Sequence, residues 1–248
     1  MNKSVLITGA GRGIGRATAC LAARRGWAVG VNYASDAAAA NATVAEIEKA
    51  GGTAIAIKGD VSVEADVIAL FDAVERAFGG IDALVNNAAI AAPTMPLADM
   101  SLDRLKRMFD VNVLGAYLCA REAARRMSKS RGGRGGAIVN VSSGAAKRGS
   151  PNEYVDYAGS KGALDTLTIG LAKELGPEGV RVNGIRPGFV DTDIHETIGD
   201  PTRLARYVAQ TPLGRAADPA EIAEAILWLL GDGASYATGA ILDVTGGL

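Results

Sequence analysis

Tyr157-Ala158-Gly159-Ser160-Lys161 sets a phenol and an ammonium four residues apart, which on a helix is one face. A tyrosine with a pKa of about 10 is a poor acid–base group at neutral pH. A fixed cation beside it favours the phenolate and lowers that pKa. Lowering it by about three units takes roughly 4 kcal/mol, at about 1.4 kcal/mol per unit. Lys161 and a second positive group in the site could together supply that. Alone, the pattern is a common one on solvated helix faces, so its company decides its meaning.

A second run carries different chemistry. Thr8-Gly9-Ala10-Gly11-Arg12-Gly13-Ile14-Gly15 closes an apolar stretch and opens an Ala-rich one. Glycines let the chain turn sharply and approach a pyrophosphate, and the helix that follows offers N–H groups and a positive dipole end. The next apolar stretch ends Val31-Asn32-Tyr33-Ala34-Ser35, with no carboxylate to accept from a ribose 2′-hydroxyl. Arg12 could pair with a 2′-phosphate instead, which favours NADP over NAD. Asp36 either faces the same pocket or caps the next helix. In Gly59-Asp60-Val61, Asp60 either accepts from an adenine amino group while Val61 packs the ring, or caps the helix after it. In Asn86-Asn87-Ala88-Ala89 small residues let a cofactor lie close.

These residues need a sheet edge to gather them. Strands are predicted over 5–8, 28–32, 54–58, 83–86, 137–141, 181–186 and 241–244. Helices are predicted over 14–25, 37–50, 63–78, 102–128, 154–175 and 220–230. Short, near-continuous apolar strands alternating with longer helices give βαβ units. The expectation is α/β: a single Rossmann-type domain over 1–248, a doubly wound parallel sheet of about seven strands with helices on both faces. Residues 191–219 are less periodic, contain Gly199, Pro201, Pro212 and Gly214, and follow a strand, so they read as a substrate lid over the carboxyl edge of the sheet. The Gly/Arg stretch at 131–136 reads as a helix-to-strand loop, with Arg125, Arg126 and Lys129 at a solvated helix end.

The 248 residues are 48% hydrophobic with a net charge of −1, so no field for nucleic acid or an acidic membrane is implied. No stretch is apolar for long enough to span a bilayer, and the reading is a cytoplasmic protein. Cys20 and Cys119 lie in apolar-periodic runs and read as small core residues. With His195 the single histidine, no zinc set exists and no metal is expected. Trp27 and Trp228 read as packing residues.

With residues 8–15, Asn86-Asn87-Ala88-Ala89, Asn112, Ser143 and Pro187-Gly188, the Tyr157–Lys161 pair resembles the short-chain dehydrogenase/reductase family. The likeness runs along essentially the whole chain and looks closest to bacterial glucose 1-dehydrogenase-like and sugar-alcohol oxidoreductases. It implies hydride transfer between a nicotinamide cofactor and the carbonyl or alcohol of a small molecule. By that resemblance Tyr157 is the acid/base. Lys161 holds the nicotinamide ribose, Ser143 hydrogen-bonds the substrate oxygen, and Asn112 anchors a water that relays protons from Lys161. Val190 and Thr192, in Pro187-Gly188-Phe189-Val190-Asp191-Thr192, would bind the carboxamide. Ser143 is favoured over Ser142. Tyr154 lacks a lysine four residues on and reads as pocket wall. His195, with no carboxylate partner evident, reads as a substrate contact rather than a catalyst. The family implies a homotetramer, or failing that a dimer, built on the C-terminal strand and the helices at 102–128 and 154–175. Ala116, Ala120, Ala123, Ala124, Gly162, Ala163 and Gly170 permit close approach there, unless they pack on the sheet.

Two departures stand out. Ala89 replaces the family's glycine, which costs about 1 kcal/mol if φ is positive there. The stretch from Ser143 to Tyr157 is one residue long for the family, a difference that 149–153 can absorb. Alternatives to an NADP(H)-dependent alcohol/ketone oxidoreductase are an NAD-linked glucose or polyol dehydrogenase and a 3-oxoacyl thioester reductase. The thioester reading wants basic residues by the pocket: Arg134 could serve, against Glu178. A non-catalytic dinucleotide-sensing module need not keep the tyrosine and lysine.

Overall fold

The computed structural model describes residues 3–192 and 203–248. The first half runs β1 (Ser4–Ile7), α1 (Gly13–Arg24), β2 (Ala28–Tyr33), α2 (Ala37–Lys49), β3 (Thr53–Lys58), α3 (Glu64–Phe78) and β4 (Ala83–Asn86). The second runs α4 (Leu102–Phe109), α5 (Gly115–Met127), β5 (Gly136–Val141), α6 (Ala145–Arg148), α7 (Val155–Leu175), β6 (Val180–Pro187), α8 (Arg203–Val208), α9 (Pro219–Leu230) and β7 (Ile241–Val244). The seven strands are ordered β3-β2-β1-β4-β5-β6-β7, and every pairing is parallel. The predicted fold class is therefore observed. Strand order reverses between β1 and β4, and the crevice above that point is where open α/β sheets bind ligands.

Alternation along the strands feeds two cores. Val5, Ile7, Val29, Val31 and Val85 point to α1, α2 and α9. Leu6, Leu84 and Ile138 point to α3, α5 and α7, where Phe71 is wholly buried. A side chain of that size contributes about 1.5–3 kcal/mol by burial. The start of α9 is fixed by a capping box: Asp218 accepts from Ala220 N at 2.7 Å, Glu221 reaches back to Asp218 N at 2.8 Å, and Pro219 occupies the first turn. Pro219 thus belongs to α9 rather than to the lid segment.

Three expectations are corrected. The helix predicted over 102–128 is broken: residues Asp110–Leu114 form one wide turn in which Gly115 N–H reaches the Asp110 carbonyl five residues back. Asn112 lies in this turn, and its amide bonds demand the widening. Trp228 is half exposed, because α9 is apolar almost all round and buries its other face. Arg126 is not solvated. It pairs with Glu122, Asp72 and Glu75 and covers the Phe71 ring. Cys20 and Cys119 are free and buried as expected. Ala116, Ala120 and Ala123 pack on the sheet, whereas Gly162 and Gly170 face open space.

Candidate active site

The glycine loop between β1 and α1 is main chain held from behind by buried side chains. Asn32 in β2 accepts from Gly9 N at 3.1 Å and donates to the Gly59 carbonyl at 2.9 Å. The Thr8 hydroxyl accepts from Asn87 N and Ala88 N at 3.0 and 2.9 Å. The Asn87 amide donates to the Thr8 and Gly9 carbonyls at 2.9 and 3.1 Å. Gly9 and Gly13 have φ of 62° and 53°, which a side chain disfavours. A Cβ on Gly15 would lie 2.4 Å from the Gly9 oxygen and 2.6 Å from Asn87 Nδ2. The first residue before α1, Arg12, is extended, and no side chain caps the helix, so its leading N–H groups face the loop. This cradle fits a dinucleotide pyrophosphate. Sequence reasoning passed over Thr8 and Asn32, although a polar residue inside an apolar strand is a signal of a bonded role.

A cavity of about 440 Å³ starts at Arg12, Tyr33 and Asp36 and ends among Ser143, Tyr154 and Tyr157. Along it lie Gly9, Gly11, Gly13, Ile14, Asp60, Val61, Asn87 and Ala88, and then Lys161, Pro187, Gly188, Val190 and Thr192. Gly15 and Asn112 stand behind its walls. Asp36 both lines the cavity and caps α2, accepting from Ala39 N at 3.0 Å. Asp60 does not cap α3, whose preceding residue is Val63. Its carboxylate accepts from Ser62 N and Oγ at 2.9 and 2.6 Å and pairs with Arg107 at 3.1 Å. Burial pushes that carboxyl up, but these partners outweigh it and hold its pKa below the ordinary value. Ala89 keeps a negative φ: among the described residues only Ser150 and Asn152 combine a side chain with positive φ. The methyl there is unstrained.

At the far end Lys161 is buried, donates to the Val141 carbonyl at 2.8 Å and lies 5.7 Å from the Tyr157 ring centre. Burial pushes its ammonium down to about 8, with Asp165 opposing. Ser142 is spent structurally, donating to the Lys161 carbonyl at 3.0 Å, whereas Ser143 is half-buried at the cavity and accepts from Ala145 N at 3.1 Å. Asn112 is wholly buried. It accepts from Ile90 N at 2.8 Å and donates to Ser160 Oγ at 3.1 Å. Ser160 in turn donates to the Tyr157 carbonyl at 2.7 Å, so the wide turn is tied to α7 at the tyrosine. Tyr154 stands edge-on to Tyr157, ring centres 5.5 Å apart.

Other supports of this end were not foreseen. Arg104 of α4 forks onto Asp156, Nε to Oδ2 at 2.8 Å and a second bond at 3.2 Å, and also reaches the Pro93 carbonyl at 2.6 Å. Asp156 is buried directly before Tyr157. In the stretch between Ser143 and Tyr157, Gly149, Ser150 and Asn152 have φ of 72°, 47° and 60°. Over it, Tyr207 of α8 stacks on Phe189 at 4.2 Å and its hydroxyl bonds the Glu153 carboxylate. His195 lies outside the described residues. Arg134 pairs with Asp82 and Glu178 accepts from Ser130 N. Both stand at the amino edge of the sheet, away from the cavity, so neither bears on its substrate.

A family model described as enoyl-(acyl carrier protein) reductase matches residues 9–248. The uncharacterized oxidoreductase YgfF of Escherichia coli is 48% identical, with 98% of each chain covered. The L-rhamnose 1-dehydrogenase (NAD(P)(+)) of a Sphingomonas species is 42% identical over 99% of this chain and 96% of its own. A solved short-chain dehydrogenase/reductase of Serratia marcescens superposes with a TM-score of 0.91 at 35% identity, covering 99% of this chain and 97% of that one. The chain belongs to the short-chain dehydrogenase/reductase family. As a short-chain dehydrogenase/reductase it is an oxidoreductase of CH–OH groups with NAD(P) as acceptor. Among the described residues no group of acidic, histidine and cysteine side chains could hold a metal, and no helix is long and apolar enough to cross a membrane.

Proposed function

We propose that the protein is an NADP(H)-dependent oxidoreductase that interconverts a secondary alcohol and the ketone, or a primary alcohol and the aldehyde, of a small molecule, with Tyr157 as acid/base. The observation that carries this reading is the Tyr157–Lys161 pair on one face of α7, at the end of a cavity that begins in a pyrophosphate cradle. The dinucleotide, when bound, supplies or takes the hydride. In the reducing direction Tyr157 gives its proton to the substrate oxygen, and in the oxidising direction it takes one. Ser143, its oxygen already accepting from Ala145 N, turns its hydrogen to the same substrate oxygen and stabilises the charge developing there. Lys161 stabilises the phenolate and holds ribose hydroxyls. Asn112 keeps the turn beside α7 in register and anchors the proton-relaying water. Residues 191 to 218 act as the lid, with Tyr207 on Phe189 as its described clasp.

Arg12 supports NADP, since it faces the same cavity end as Tyr33 and has no carboxylate partner among the described residues. The second reading, NAD-linked sugar or polyol oxidation, is favoured by Asp36 in that same end. Exposed Leu114 in the wide turn, Tyr117 on α5 and Ile169 on α7, with Gly162 and Gly170 of α7 open, support a homotetramer. The buried free thiols suit the cytoplasm.

Titration of the protein with NADPH and with NADH, wild type beside Arg12→Ala, tests the cofactor. Tight NADPH binding that weakens in the variant is expected, and equal NADH binding unaffected by the change would move the assignment to NAD. NADPH consumption with a ketone panel tests the chemistry. Tyr157→Phe is expected to lose roughly 10²–10⁴-fold in turnover while still binding NADPH, and cofactor binding without turnover of any carbonyl would favour a sensing module.

A further inference from the structure

The cavity has four cations along its wall, and they are not equally engaged. Lys161 is committed to the Val141 carbonyl and Arg107 to Asp60. Arg12 is at the dinucleotide end. Arg148, the last residue of α6, is the fourth, and it lines the substrate end with Ser143 and Tyr157. Its guanidinium lies over the Phe189 ring, 5.2 Å from the centre, with no carboxylate partner among the described residues. The guanidinium also lies against Gly144, where a Cβ would come 2.9 Å from its Nη1. Glu153, the acid of the same connection, is engaged by the Tyr207 hydroxyl.

A guanidinium stacked on an aromatic ring is fixed in plane and offers its N–H edge sideways. That edge matches the two oxygens of a carboxylate. A single unpaired positive charge balances a monoanion rather than a dianion. We propose that the substrate carries a carboxylate some methylenes from its reacting carbon, and that Arg148, seated on Phe189, binds it. The substrate class is then an oxo acid and its hydroxy acid. This rests on Tyr157 and Ser143 being the reacting end.

The probes are 3-oxobutanoate, 4-oxopentanoate and 5-oxohexanoate, which lengthen the spacer stepwise, each beside its methyl ester. Calorimetry on the protein saturated with NADP⁺ reads binding without turnover, and NADPH consumption reads catalysis. The best acid is expected to exceed its ester by roughly tenfold to a hundredfold, as a charge-assisted bond would give. Arg148→Met and Arg148→Gln are expected to collapse that ratio, and Arg148→Lys to keep part of it. An acid-to-ester ratio near one in the wild type, a ratio unchanged in Arg148→Met, or no binding of any acid would overturn the subsite. Esters and acids that bind but are never reduced would instead overturn the reading of the reacting end, while the binding ratio still judges Arg148.

Discussion

Around residues 9–15 the cavity is walled largely by main chain that Asn32, Thr8 and Asn87 hold in place. Around Ser143 and Tyr157 it is walled by side chains carried on the turn after β5 and on α7, and braced by Arg104–Asp156 and Tyr207–Glu153. On the proposed reading the first end would hold a constant ligand with groups every residue possesses, so it can be intolerant of a single added atom. The second discriminates among ligands, so its side chains, and the left-handed turn at 149–152, are where variation can be absorbed.

Substitutions can break that division. Arg104→Met leaves the Asp156 carboxylate buried without its cation, and a loss of about 3–5 kcal/mol is expected in denaturant unfolding. Adding Asp156→Leu should recover part of it. Loss of NADPH affinity in the folded fraction of Arg104→Met would show that the two ends are not separately supported. Gly15→Ala tests the opposite end: its methyl must displace the Gly9 carbonyl or the Asn87 amide. A cost of about 1–3 kcal/mol, with weakened NADPH binding in a fluorescence titration, is the expected outcome.

The pH dependence of stability sharpens the contrast at the reacting end. Burial holds Lys161 near 8 in the fold, against 10.5 ordinarily. Above about pH 8 the unfolded chain therefore binds more protons than the fold, and stability rises with pH by up to about 1.4 kcal/mol per unit. The buried thiols act oppositely from about pH 9, because burial raises Cys20 to about 11 and Cys119 to about 12 while the unfolded thiols ionise. The Lys161 contribution is thus read between about pH 8 and 9, and Lys161→Met should flatten the slope there. The smallest effect is Ala89→Gly. With no positive φ to relieve, it should destabilise by about 0.4–1 kcal/mol through the unfolded chain, and a gain in stability would reopen the meaning of this departure from the family.

The two ends also differed in how far the residue string disclosed them. Glycine spacing, strand periodicity and the Tyr157–Lys161 interval are local patterns, and they located the sheet, the glycine loop and two side chains that the fold brings to one cavity. Arg104 and Asp156 are 52 positions apart, and nothing in either neighbourhood announces the other. No sequence signal marks Arg148, whose place over Phe189 and beside Gly144 comes from the fold alone. The wide turn at Asn112 was hidden because the bonds that accompany it run to Ile90 and Ser160, the latter 48 positions away.

That turn also makes the chain keep count. Asp110–Leu114 holds one residue more than an α-turn would, so α5 is rotated by about 100° relative to a continuation of α4. A substitution there alters one side chain. Losing a single codon inside it lets the five-residue turn close to an α-turn, so Ala116, Ala120 and Ala123 keep their face while the bonds of Asn112 to Ile90 and Ser160 are lost; a codon lost within α5 has no such slack and rotates all that follows. A deletion scan should therefore find the fold more forgiving of one residue lost from 110–114 than of one lost from the middle of α5.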